Sequence, residues 1–173
     1  MIIALIALLV LAADQLTKCL VGTNFQHGES IPVWTNFFNI TYVGNTGAAW
    51  GLFPGQNKAL IVLSIVTLIV MFVFRRSFAI SEPLQKTSVG LILGGIFGNL
   101  IDRIFHGQVI DFLDFYWNGS HWPAFNVADS AICVGAFLYI LTAFWQPKSK
   151  VPPAANQQSS KPPESAEIAT SQK

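Results

Sequence analysis

Residues 125–145 read FNVADSAICVGAFLYILTAFW, 21 positions of almost unbroken apolar sequence with one carboxylate, Asp129, close to the beginning. A helix needs roughly 20 such residues to cross a hydrocarbon core. An ionised side chain in lipid costs at least ~2.5–3.5 kcal/mol on insertion scales, so Asp129 needs a partner, water or a function. One reading is local. Asn126 and Asp129 have capping-box-like spacing, in which two side chains satisfy free backbone N–H groups at a helix start. The other reading requires a second group brought in from elsewhere in the chain.

Composition settles the class of protein. Hydrophobic residues make up 52% of the 173 positions and charged residues 11%, and the mean hydropathy is +0.49. A soluble domain averages roughly 25% charged, so this chain is built for a bilayer. Its formal net charge of +1 leaves no electrostatic footprint for nucleic acid. Cys19 and Cys133 each lie in an apolar stretch, which argues against a disulfide framework.

Outward from the opening stretch, four segments are long enough to span: about 2–22, 58–74, 88–105 and 125–145. The first opens on a short apolar run like a secretory signal. It lacks a basic leader, however, and its apolar character resumes after DQLTK (14–18), so it reads as a retained span. Arg75, Arg76 and Lys86 lie between spans two and three, and Lys148 and Lys150 follow span four, whereas loops 23–57 and 106–124 contain no Lys or Arg. The positive-inside rule then puts both termini in the cytoplasm and the two long loops outside. Within those loops VWTNFFNITYV (33–43) and GQVIDFLDFYWNGSHWP (107–123) favour extended structure, and VGNTGAAWGLFPG (43–55) supplies turn glycines. The expected fold is an all-α membrane protein, with four transmembrane helices and a small extracytoplasmic β-element on the outer leaflet. Trp34, Trp50, Trp117 and Trp122 fall in its interfacial belt, as anchors or as substrate contacts. Residues 1–147 would form this domain. Residues 148–173, rich in Pro, Ser, Gln and Ala and without an aromatic residue, would form a disordered cytoplasmic tail.

The polar residues of the spans narrow the function. Gly90, Gly94 and Gly98 recur every four residues and would admit a neighbouring helix. Asn99, Asp102 and Arg103 share one face at the outer end of the same span, either as a self-neutralising cluster or as part of a site. Asp14 and Lys18, at i and i+4, read as a structural ion pair. The loop from span three to span four carries Asp111 and Asp114, and its roughly 20 residues can bring Asp111 to Asp129. Two acids in a partly desolvated site cannot both ionise easily. One could then draw a proton from water while the other, protonated, polarises a peptide carbonyl, which hydrolyses the bond without metal or covalent intermediate. Other chemistries lack their patterns: there is no H-E-x-x-H or G-x-S-x-G, His27, His106 and His121 are scattered, and Ser120–His121 is an isolated pair. Two other classes compete: an ion transporter, which would want polar groups at mid-membrane, and a membrane scaffold, in which Asp111 and Asp129 would be replaceable.

Five ordered blocks, DQLTK (14–18), VGNTGAAWGLF (43–53), GGIFGNLIDR (94–103), GQVIDF (107–112) and WPAFNVADSAI (122–132), resemble the motifs of lipoprotein signal peptidase, the bacterial signal peptidase II. The resemblance covers about residues 5–145 and omits only the tail. It implies a four-helix aspartyl protease of the bacterial inner membrane. Such an enzyme cuts the signal peptide from prolipoproteins just before a diacylglyceryl-modified cysteine, has its site at the outer face, requires no metal or other cofactor, and is blocked by the cyclic peptide globomycin. By motif it implies Asp111 and Asp129 as the catalytic dyad and Asn45, Asn99, Arg103 and Asn126 as residues lining the site. Asp14, Lys18 and Asp102 would be supporting polar contacts.

Overall fold

The structure, a computed structural model, describes residues 1–48, 52–75 and 82–144. Four helices form: α1 (Ile2–Asn24), α2 (Asn57–Val73), α3 (Pro83–Phe105) and α4 (Val127–Phe144). Each covers one of the expected apolar segments to within a few residues. Of these, α1 and α3 have 23 residues each and the apolar length to cross a membrane, whereas α2 and α4 carry shorter apolar stretches, Asn57–Val73 and Val127–Thr142. At 1.5 Å per residue the longer pair reaches ~35 Å.

The central element is α3, which packs against both α1 and α4. Its glycines explain how. A Cβ on Gly90 would meet Ile6 Cβ at 2.8 Å, one on Gly94 would meet Ala7 O and Val10 Cβ at 2.7 Å, and one on Gly98 would collide with the Asp14 carboxylate. The row at four-residue spacing is therefore the seat of α1. A second small-residue face, not apparent in that spacing, receives α4: Gly95 faces Ala128 and Ile132, and Gly135 of α4 faces Ile92 and Ser88. No residue of α2 is buried. Large apolar side chains on α1, α2 and α4, such as Leu8, Val62 and Phe137, are about 60% exposed. Water would not tolerate so continuous an apolar exterior, which matches a lipid-facing surface.

The two long loops, between α1 and α2 and between α3 and α4, build a four-stranded antiparallel sheet of order β1–β2–β3–β4: β1 (Ser30–Trp34), β2 (Phe38–Asn45), β3 (Val109–Trp117) and β4 (Ser120–His121). The strands β2 and β3 come from different loops and pair Val43 with Asp111 and Asn45 with Val109. Asn118 and Gly119 connect β3 to β4 with φ of 49° and 75°, the left-handed pair that a two-residue hairpin requires. Phe115 stacks among Phe37, Phe38 and Phe125 with ring centroids 4.7–5.9 Å apart, which fastens the sheet to the approach to α4. Trp34, Trp117 and Trp122 are 57–69% exposed on this element. Trp50, Arg76, Lys148, Lys150 and the whole 148–173 tail lie outside the described residues.

Candidate active site

Phe112 N and Leu113 N both donate to Phe125 O, at 3.0 and 2.8 Å, and Phe125 N donates back to Leu113 O at 3.2 Å. Two residues of β3 thus oppose one residue of the incoming chain, a β-bulge of the kind that re-aims a neighbouring side chain. It sets Asn126 beside Asp111, and Asn126 Nδ2 donates to Asp111 Oδ1 at 2.7 Å. From the other side Asn45, on β2, donates to Asp111 Oδ2 at 2.9 Å.

Asp129 lies one helical turn beyond Asn126. Asp129 N donates to Asn126 Oδ1 at 2.9 Å and Asn126 N donates to Asp129 Oδ2 at 3.3 Å, which completes a reciprocal capping box. The local reading of Asp129 is therefore true, and it is incomplete. Asn99 of α3 donates to Asp129 Oδ1 at 2.7 Å, and Asp129 lines the same cavity as Asp111. That cavity measures about 260 Å³ and is walled by Asn45, Arg103, Val109, the segment Trp122–Phe125, Ser130 and Cys133. Asp111 is 3% exposed. Burial, and then the negative charge of Asp129, push its carboxyl up to about 7, against the opposing pull of the Asn45 and Asn126 N–H groups and the Lys18 charge.

Behind this pair lies a buried charged cluster. Lys18 Nζ contacts Asp14 Oδ2 at 2.8 Å and Asp102 Oδ2 at 3.0 Å, and donates to Asn99 Oδ1 at 3.0 Å. All four side chains are nearly inaccessible. Asp14 Oδ1 accepts from Ala128 N of α4 at 2.9 Å, and Asp102 Oδ2 from Ile110 N of β3 at 3.3 Å. One ammonium so ties α1, α3, α4 and β3 together. Arg103 turns the other way, into the cavity, where Nη2 donates to Gly47 O at 3.1 Å and Nε is buried without a hydrogen-bond partner among the described residues.

A family model described as signal peptidase (SPase) II matches residues 6–145. The chain belongs to the signal peptidase II family. A protein named lipoprotein signal peptidase from Syntrophotalea carbinolica is 45% identical over 148 residues, covering 84% of this chain and 91% of that relative. Another of the same name from Desulforapulum autotrophicum is 42% identical over 144 residues, covering 80% and 88%. A solved bacterial membrane enzyme, determined in meso at 2.3 Å resolution, superposes with a TM-score of 0.75 at 35% identity, covering 81% of this chain and 85% of that one. A second, at 1.9 Å resolution, gives 0.71 at 33% identity, covering 83% and 92%.

In this member of the signal peptidase II family, Asn45, Arg103, Asp111 and Asp129 meet at the cavity, and Asn99 and Asn126 touch the carboxylates from behind it. Asp14, Lys18 and Asp102 stand one layer further back. Three residues escaped the reading of the sequence. Gln15 donates to Asp102 Oδ1 at 2.9 Å and to Gly98 O at 3.2 Å, and its position beside Asp14 was the only hint. Ser130 and Cys133 line the cavity at one and four positions after Asp129, as helical spacing from that acid allows. The Ser130 hydroxyl donates to Asn126 O at 2.9 Å, so its proton is committed to the helix start. His121 pairs with Asp114 at 2.8 Å rather than with Ser120. No group of three or more His, Cys, Asp or Glu suited to a metal occurs among the described residues.

Proposed function

We propose that this protein is a membrane-embedded aspartyl endopeptidase. It removes the signal peptide from diacylglyceryl-modified prolipoproteins, cutting before the lipidated cysteine, with Asp111 and Asp129 as the catalytic dyad and water as the nucleophile. The observation that carries this reading is one cavity holding both carboxylates, with Asn126 hydrogen-bonded to each. A carboxyl raised to about 7 can hold a proton at neutral pH while its neighbour remains ionised. The ionised partner draws a proton from water, and the protonated one hydrogen-bonds the scissile carbonyl as oxyanion charge develops. Arg103, whose guanidinium sits at the cavity wall, holds substrate backbone.

Four helices crossing the bacterial inner membrane, with both termini cytoplasmic, suit this substrate. A signal peptide is itself an apolar helix, and its cleavage site emerges at the outer face. Asp129 lies four residues into the opening stretch, only ~6 Å deep at 1.5 Å per residue. Membrane lipid surrounds the helices, the cyclic peptide globomycin occupies the substrate's place, and no cofactor takes part. The test is direct. Purified protein incubated with a lipidated prolipoprotein should release the signal peptide in EDTA and after treatment with serine-directed reagents, and should stop in globomycin. Activity lost to EDTA and restored by a divalent ion would replace the dyad with a metal mechanism.

A further inference from the structure

Three asparagine amides surround the two carboxylates, and each must present N–H rather than C=O to its acid. An amide has one donor end and one acceptor end, so something has to fix which way it faces. For two of the three the fixing group is backbone N–H, which can only donate. Asn45 Oδ1 accepts from Gly47 N at 2.8 Å, which turns Nδ2 toward Asp111. Asn126 Oδ1 accepts from Asp129 N at 2.9 Å, which turns Nδ2 toward Asp111 as well.

Asn99 has no such neighbour. It lies in the body of α3, where the backbone N–H groups are spent within the helix. Its Oδ1 accepts from Lys18 Nζ at 3.0 Å and more distantly from Asn126 Nδ2 at 3.3 Å, and its Nδ2 donates to Asp129 Oδ1 at 2.7 Å. An ammonium has three donors and no acceptor, so a flipped Asn99 would set N–H against N–H at Lys18 and C=O against the Asp129 carboxylate. We infer that Lys18 is a positioning residue of the dyad, which acts through Asn99 by obliging its amide to donate to Asp129.

Other features of Lys18 fit that role. It is 2% exposed, is absent from the lining of the cavity, and spends its remaining N–H groups on Asp14 and Asp102. Asp14 in turn accepts from Ala128 N, one residue before Asp129 in the sequence. Two of the ammonium's three arms, those through Asn99 and Asp14, therefore end on the first turn of α4, and the third, through Asp102, ends on Ile110 N of β3.

The inference rests on Asp111 and Asp129 being the dyad, and its test separates the two claims. Initial rates on a lipidated prolipoprotein are compared for Lys18→Met, Asn99→Leu and the double variant in detergent micelles, with melting temperature recorded for each. The single changes should lower kcat to similar extents, by ~100-fold as for a misplaced catalytic group, with KM little changed. The double variant should be no worse than Asn99→Leu alone, because Lys18 acts through that amide. Losses that multiply, or Lys18→Met with wild-type kcat, would overturn the inference. Because Lys18→Met strips two buried carboxylates of their cation, Asn99→Asp provides a test that leaves the cation in place. It keeps Lys18 paired yet cannot donate to Asp129 as a carboxylate. It should fall to the level of Asn99→Leu, and wild-type turnover would overturn the claim. Asp111→Asn in the same assay reports on the dyad itself: if it still cleaves, the dyad reading fails, and if it is inactive while the other losses multiply, only the role of Lys18 fails.

Discussion

Asn45 and Asn126 donate to the two oxygens of one carboxylate, Asp111, whose proton affinity sets the pH range of the proposed chemistry. Burial and the charge of Asp129 raise it to about 7, and the two N–H donors, which favour the ionised form, hold it down. If the shared proton is required, cleavage should fall as pH rises through and beyond about 7. Asn45→Ala removes one of the donors, so this falling limb should move to higher pH, as measured by kcat/KM profiles in micelles. A limb that stayed in place or moved lower would mean that Asp111 does not carry the proton. At this scale Asp129 was legible, because an acid in an apolar segment demands a reason, and Asp111 was reached from it through the roughly 20-residue loop that returns to that segment. The direction of the amides was not. It depends on partners such as Lys18, 81 positions from Asn99, and Asp111, 66 positions from Asn45.

Helix α3 is the element that brings these residues together, and its glycines are what let its neighbours close in. A Cβ at Gly98 would press on the Asp14 carboxylate, whose two oxygens are already held by Lys18 and Ala128 N. Gly98→Ala should therefore lower stability by about 1–3 kcal/mol, the usual cost of overpacking, read as a drop in melting temperature in detergent. Gly22→Ala on α1 is the control. Its new Cβ would meet Ile110 Cδ1 at an ordinary 3.6 Å, and alanine is the better helix former, so stability should hold or rise. Equal losses in both would mean that α3 packing is not the limiting contact. The row Gly90, Gly94, Gly98 could be read from its four-residue spacing, but the face through Gly95 and Gly135 could not, since it is shared between two helices. The extended character of the two long loops was readable from their aromatic and β-branched residues. The pairing of β2 with β3 was not, because the two strands lie more than 60 residues apart in sequence. Asn118–Gly119 was a turn signal in plain view that would have divided β3 from β4.

At the scale of the whole molecule, the apolar exteriors of α1, α2 and α4 and the charge asymmetry of the loops make one orientation in the membrane testable. With Cys19 and Cys133 replaced by alanine, cysteines introduced near residues 28 and 119 should react with an impermeant thiol reagent outside intact cells, and one near residue 82 should not. The reverse pattern would put the cavity on the wrong side for an emerging signal peptide. Ending the chain after Lys150 should leave insertion and cleavage close to wild type, because the composition of the tail can bury no core. A protein that inserts normally but cleaves poorly would show that the tail has a role. The account as a whole depends on two titratable carboxylates acting as one unit. Asparagine keeps the size of aspartate and caps a helix about as well, so Asp111→Asn and Asp129→Asn remove the chemistry while sparing the fold. The most direct measurement is turnover of a lipidated prolipoprotein by the purified full chain carrying each change and both. The account predicts that each single variant is inactive while still inserting and binding globomycin, and that the double variant is scarcely worse than either. Substantial cleavage by either single variant would contradict it.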